Sequence, residues 1–241
     1  MCTLTAHRQG NGRWHITMNR DELRSRADGE APFLWLSPEI LAPRDPVAGG
    51  TWIGVHADGT WAAILNSYSD DKRVWRQGVE AQSRGRLIPL ALASADPVGA
   101  IEATDLSATM GFRLWIGRAD VVAELFWDGQ TLRIQRNIED GPWFFTSSSS
   151  LRQPEIVRKR RAVFDAWRRD GAPLSVNGIP SLFTDPHGLG KEEAILMERD
   201  YAHTKSCTQI SVEETAIRMQ HWDATHIHGA AQTSIEMPRS V

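Results

Sequence analysis

The strongest constraint on this chain's fold is a recurring turn signal. Asn11-Gly12, Asp58-Gly59 and Asp128-Gly129 each lie between runs of strand-forming residues. Asx-Gly pairs accept the positive φ angles of tight hairpin turns, so each one predicts two antiparallel neighbours. "CTLTAH" and "RWHITMNRD" flank the first pair, and "TWIGVHADGTWAAILNSY" carries the second, with apolar residues on both faces. Burial on both faces predicts a sheet covered on each side. "FRLWIGRADVVAELFWDGQTLRIQR" predicts two or three further strands, and "CTQISVEETAIRMQHWD" a final pair.

Helical patterns separate these groups. "RLIPLALASADPVGAIEAT" reads as one or two helices, broken or started near Pro97. "PEIVRKRRAVFDAWRRD" is the clearest helix: Pro154 suits its first turn, and Ile156, Val163, Phe164 and Trp167 form one apolar stripe. Its Arg158-Lys159-Arg160-Arg161 run reads as a solvated face. "KEEAILMERDYA" reads as another short helix, and the last dozen residues, from about 229 to 241, as a loose tail. Strand groups alternating with helix groups predict an α+β layering rather than βαβ units.

The 241 residues are 41% hydrophobic and 24% charged, with a formal net charge of -3, an ordinary globular balance. The slight acidity gives no reason to expect nucleic acid or an anionic membrane as partner. No apolar run approaches the ~18 residues of a membrane span, and His7 and Arg8 interrupt any leader-like stretch after Met1. The cysteines Cys2 and Cys207 make no disulfide framework, so the expected location is the cytoplasm. No phosphate loop or dinucleotide fingerprint is present, and no cofactor is expected. Most of the ten tryptophans are expected in the core, the remainder lining an apolar pocket.

Chemistry concentrates at the start. Cys2 stands directly behind Met1. Its small side chain suits methionine removal, which would leave a thiol and a free α-amine on one residue. A thiol of pKa ~8.5 is mostly protonated at neutral pH, and an α-amine of pKa ~7.7 can take its proton. A turn at Asn11-Gly12 pairs Gly10 with Arg13 and sets Cys2 opposite Asp21; a turn at Gly10-Asn11 sets it opposite Asn19. A carboxylate there could hold the amine, and Arg20 could favour the thiolate. Adjacent residues on a regular strand point to opposite faces, so Arg20 and Asp21 both face Cys2 only at a bulge or strand end. Asn66 ends an apolar strand beyond the flexible Gly49-Gly50 pair; it reads as an oxyanion donor or as a turn former. His203, Cys207, His221, His226 and His228 are spaced too loosely to predict a metal or haem site.

Together these segments resemble a known family. "MCTL" at the start, "NRDE" at 19–22, "AGGTWIGV" at 48–55, "ILN" at 64–66 and "SRGRL" at 83–87 are similar to the NRDE family, which includes transport and Golgi organisation protein 2 and bacterial relatives. "HTKSCTQISV" at 203–212 follows in the family's order. The family's N-terminal half resembles the cysteine branch of the N-terminal-nucleophile hydrolases, such as penicillin V acylases and bile salt hydrolases.

The resemblance implies a single domain over 1–241, a four-layer αββα sandwich of two packed antiparallel sheets. It carries the nucleophile to Cys2, the thiol-orienting arginine to Arg20, the amine-binding aspartate to Asp21 and an oxyanion-hole residue to Asn66. Two departures stand out. The acylases separate their arginine and aspartate by two residues, whereas Arg20 and Asp21 are adjacent; and Ser147 falls near the acylases' second oxyanion asparagine. The implied activity is hydrolysis of a linear, non-peptide amide in a small acylated substrate, with an apolar acyl part suggested by the tryptophans. The family's alternative is a non-catalytic carrier of haem or of acyl-coenzyme A or lipid, with Cys2 structural or a ligand.

Overall fold

The computed structural model describes residues 2–35, 39–68, 81–136, 141–171 and 178–240. Each Asx-Gly pair follows the end of a strand. β1 (Cys2–Gly10) turns into β2 (Arg13–Leu23) with Asn11 at φ 55 and Gly12 at φ 68. β5 (Ile53–His56) returns as β6 (Trp61–Asn66) through Gly59 at φ 88, with Asp58 Oδ1 accepting from the Thr60 N–H at 2.8 Å. β7 (Phe112–Arg118), β8 (Val121–Trp127) and β9 (Leu132–Arg136) follow, and Gly129 sits at φ 95 between the last two. β3 (Glu30–Leu34), β4 (Ile40–Arg44), β10 (Trp143–Ser148), β11 (Ala202–Val212), β12 (Ala216–Asp223) and β13 (Thr233–Pro238) complete the strands among the described residues.

The strands form two antiparallel sheets. One is six-stranded in the order β10-β1-β2-β11-β12-β13, and the other is seven-stranded and runs β3 to β9 in sequence order. Even-numbered residues of β1 and β2, from Leu4 to Trp14, Ile16 and Met18, meet Ile53, Val55 and Trp61 between the sheets. Each such side chain contributes about 1.5–3 kcal/mol of burial. α1 (Leu87–Leu92) and α2 (Pro97–Glu102) cover the outer face of the seven-stranded sheet through Leu87, Ile88 and Ile101. α3 (Gln153–Arg169) covers the six-stranded sheet, packing Phe164 and Trp167 over Phe145 and Cys207. The result is the expected αββα sandwich, and among the described residues no helix is long and apolar enough to cross a membrane.

Three local expectations are corrected. The "KEEAILMERDYA" segment is a series of turns. Carbonyls that a helix would use internally go to buried side chains: Glu193 and Ala194 accept from Arg160 at 2.8 and 2.6 Å, Glu192 from Arg199 at 2.9 Å, and Ile195 from Asn19 at 2.6 Å. The loose tail contains β13, which pairs along β12 from Ala216↔Pro238 to His221↔Thr233. Arg160, assigned to a solvated face, is fully buried. It is spaced four residues from both Ile156 and Phe164, so the apolar stripe passes through it.

Candidate active site

The first hairpin sets the site, and its register matches neither count made from the sequence. Gly10 does pair with Arg13, but one residue, Gln9, bulges out before Arg8 pairs with Trp14. That single extra residue shifts the rest of the ladder, so Cys2 lies opposite Arg20. On its other side Cys2 pairs with Ser148 of β10, whose Oγ accepts from the Cys2 nitrogen at 3.2 Å. Met1, whose removal the terminal-amine chemistry needs, lies outside the described residues.

Strand parity then divides the "NRDE" run between two environments. Arg20 shares the inter-sheet face with Cys2. Its Nη2 donates to Asp45 Oδ2 at 3.3 Å, and its guanidinium carbon lies 4.6 Å from the centre of the Trp52 ring. Asp45 is held as a carboxylate below its ordinary pKa; burial opposes this, but Arg26, the Val47 N–H and Arg20 together outweigh it. Arg26 donates to Asp45 Oδ2 through Nε at 3.1 Å and Nη2 at 2.8 Å, which ties the β2–β3 loop to the same anchor.

Asn19 and Asp21 are on the opposite face, beneath α3. Asp21 Oδ1 accepts from Asn19 Nδ2 at 2.8 Å and from Thr204 Oγ1 at 2.6 Å, and Oδ2 lies 3.8 Å from Arg160 Nη1. A register shift in β11 between Thr204 and Ser206 lets Thr204 oppose Asp21 while Ser206 opposes Arg20. Arg160 also donates to Ser147 Oγ at 3.1 Å and Thr3 Oγ1 at 3.3 Å. Burial raises the Asp21 carboxyl above its usual range despite Arg160, and it lowers Arg160. Ser147, across from Thr3, therefore belongs to this outer network, and Ser148 is the serine on the cysteine's side.

A cavity of about 400 Å³ opens on the Cys2 face. Cys2, Arg20, Asp45, Trp52 and Asn66 all line it. Asp21 and Glu22 reach it as well. Its wall depends on a close backbone approach: a Cβ on Gly50 would lie 2.5 Å from the Gly85 carbonyl carbon, and the Thr51 N–H donates to the Gly85 carbonyl at 3.1 Å. That approach brings the "AGGTWIGV" and "SRGRL" motifs together. Asn66 ends β6 as read from the sequence, and its Nδ2 donates to Tyr68 Oη at 2.7 Å.

Burial pushes the Cys2 thiol up and the Asp21 charge adds to this, whereas the Asp21 backbone N–H and the Arg20 charge favour the thiolate. Cys207 is buried on the outer face, and burial raises its thiol as well. His226 and His228 lie in a turn after β12, not on a strand, and no metal-binding group of three or more His, Cys, Asp or Glu exists among the described residues.

Of the four residues singled out from the sequence, Cys2, Arg20 and Asn66 line one cavity, and Asp21 touches it while its carboxyl is engaged behind the sheet. Sequence reading missed Arg160, Asp45, Thr204 and Ser148. Asp45 had one local signal, the Asp-Pro pair: its Oδ1 accepts from the Val47 N–H at 3.0 Å, an Asx turn.

With this geometry in view, the Transport and Golgi organisation 2 family model matches residues 1–218. The chain belongs to that family. No individually curated protein matches the chain significantly. Among solved structures, this family member is similar to penicillin V acylase from Agrobacterium tumefaciens, with a TM-score of 0.51 and 13% identity over 98% of this chain and 90% of that one. It is also similar to the Caenorhabditis elegans ortholog of N-acylethanolamine-hydrolyzing acid amidase, with a TM-score of 0.54 and 10% identity over 98% of this chain and 100% of that one. These likenesses establish an N-terminal-nucleophile hydrolase fold for the family member.

Proposed function

We propose that this transport and Golgi organisation 2 family member is an N-terminal-cysteine hydrolase of a linear amide in a small acylated substrate. The observation that carries the reading is a second-residue thiol on the wall of a cavity of about 400 Å³, directly opposite a buried arginine. Removal of Met1 turns the Cys2 nitrogen into an amine that Ser148 orients. The thiol gives its proton to that amine, and the sulfur attacks the amide carbonyl. Asn66 Nδ2 has a second N–H beyond the one given to Tyr68, suited to the developing oxyanion. Collapse breaks the C–N bond, and the departing amine takes the proton from the α-ammonium. Water then cleaves the thioester and releases the acid.

Arg20 lowers the cost of the thiolate by charge, and Asp21 is assigned the opposite charge that balances the positive amine through the strand rather than by contact. The apolar liners Trp52, Ile64 and Met110 suit a modest acyl group. The test is hydrolysis of N-acyl amides by the wild-type protein beside Cys2→Ala. The substitution is expected to cut the rate at least about a thousandfold; equal rates would refute the assignment.

A further inference from the structure

Arg20 carries a donor that the chemistry above does not use. Its side chain is only 5% exposed. Nη2 is committed to Asp45 and one guanidinium face to Trp52. Nη1 is buried and has no hydrogen-bond partner among the described residues, the Cys2 sulfur included. The indole Nε1 of Trp52, on the same cavity wall, is likewise buried without a partner among them. Buried donors are normally satisfied, and a charged one left unmet is costly. Two unmet donors in one cavity call for a ligand rich in acceptors.

The described lining holds three guanidiniums and three carboxylates, so the unmet cationic donor of Arg20, not the net charge, points to an anion. Arg20, Arg26 and Arg84 line the cavity. Of the acidic liners, Asp45 is shared between Arg20 and Arg26, and the Asp21 carboxyl is held behind the sheet by Asn19 and Thr204. Glu22 is the remaining carboxylate among the described liners, and it accepts from the Leu23 N–H at 2.8 Å. Position narrows the choice further. Cys2 and Arg20 are directly paired across β1 and β2 and line the same cavity, so a group on Arg20 Nη1 shares that cavity with the carbonyl that Cys2 would attack.

We infer that Arg20 Nη1 receives a carboxylate on the amine half of the substrate, which makes N-acyl amino acids the substrate class rather than neutral N-acyl amines. Asp45 is the positioning residue, holding the guanidinium with Nη1 turned away from itself. This substrate assignment rests on the hydrolase reading, and the following experiment separates the two.

Calorimetric titration of Cys2→Ser with N-octanoylglycine and with N-octanoylglycinamide compares one carboxylate with its neutral isostere. The acid is expected to bind about tenfold to a hundredfold more tightly, the range of one charge-assisted hydrogen bond. In Cys2→Ser/Arg20→Gln, shown to be folded by its melting transition, the preference should collapse to within about twofold. Should the double variant not fold, the acid–amide difference in Cys2→Ser alone decides. Equal binding of the two compounds, or a preference that survives Arg20→Gln, overturns the anion site. Hydrolysis by the wild-type protein tests the other reading: tight acid binding without turnover keeps the anion site and removes the hydrolase. Turnover of both compounds at equal kcat/KM removes the anion site and keeps the hydrolase.

Discussion

Replacing Arg160 with methionine tests the buried network behind the nucleophile strand. The substitution keeps most of the side chain's length and removes its charge and donors. The Glu193 and Ala194 carbonyls, Ser147 and Thr3 all lose a donor, and Asp21 loses the nearest guanidinium, 3.8 Å away. Removing one partner of a buried ion pair costs about 3–5 kcal/mol, because the charge left behind stays desolvated. Against a total stability of about 5–15 kcal/mol this is a large fraction. Urea unfolding at pH 7 should show the loss as a lower midpoint with an unchanged slope. Asp21→Asn in the same chain keeps a side-chain oxygen for Asn19 and Thr204 but removes the stranded charge. The double variant should therefore recover at least about 1 kcal/mol over the sum of the singles.

Acid should narrow the gap between Arg160→Met and wild type. Asp21 already has a raised folded pKa, and losing Arg160 raises it more. Between the ordinary value and the raised one the native state holds more protons than the unfolded chain. This group's contribution therefore improves as pH falls, and its penalty is complete only above the folded pKa. A loss under about 1 kcal/mol, or strict additivity with Asp21→Asn, would refute the reasoning.

His221 gives a second pH signature. Burial lowers its pKa to about 4, with Thr208 Oγ1 2.9 Å from its Nδ1. Its unfolded value is about 6.5, so the unfolded chain takes up a proton first and stability falls as pH drops from 6.5 toward 4. At pH 5 the loss from this group is about 2 kcal/mol, and His221→Gln should flatten the urea midpoint's pH dependence by that much; an unchanged profile would count against it. Gly50→Ala places a Cβ 2.5 Å from the Gly85 carbonyl carbon and 2.8 Å from its Cα. Both are backbone atoms, so the expected cost is about 1–3 kcal/mol, read as a lower melting temperature; a neutral substitution would contradict the close approach.

What the sequence revealed followed the range of the interaction. The hairpins at Asn11-Gly12, Asp58-Gly59 and Asp128-Gly129 were legible because turn chemistry is local, and the αββα architecture followed from the family resemblance. The bulge at Gln9 leans on Gly10 at φ 82, part of the same Gly-Asn-Gly signal that left the register open, and it decides that Arg20 faces Cys2. The adjacency of Arg20 and Asp21, a departure from the acylase spacing, thus places the guanidinium in the cavity and the carboxyl behind the sheet. Arg160 was legible in principle, since it interrupts an apolar stripe at helical spacing. Its neighbours in the basic run, Arg158 and Arg161, are exposed, and charge composition alone pointed to the wrong face. The Glu192–Ile195 turns could not be read locally. Their helix-like composition is overridden by Asn19, Arg160 and Arg199, which capture the carbonyls from elsewhere in the chain.

Intact-mass spectrometry before and after brief exposure to an activated N-octanoyl anilide tests the central claim most directly. The account predicts a chain that starts at Cys2 and gains a single octanoyl group, mapped by peptide sequencing to that residue and absent from Cys2→Ala. A chain that keeps Met1 and gains no acyl group, or one acylated at Cys207 instead, would contradict it.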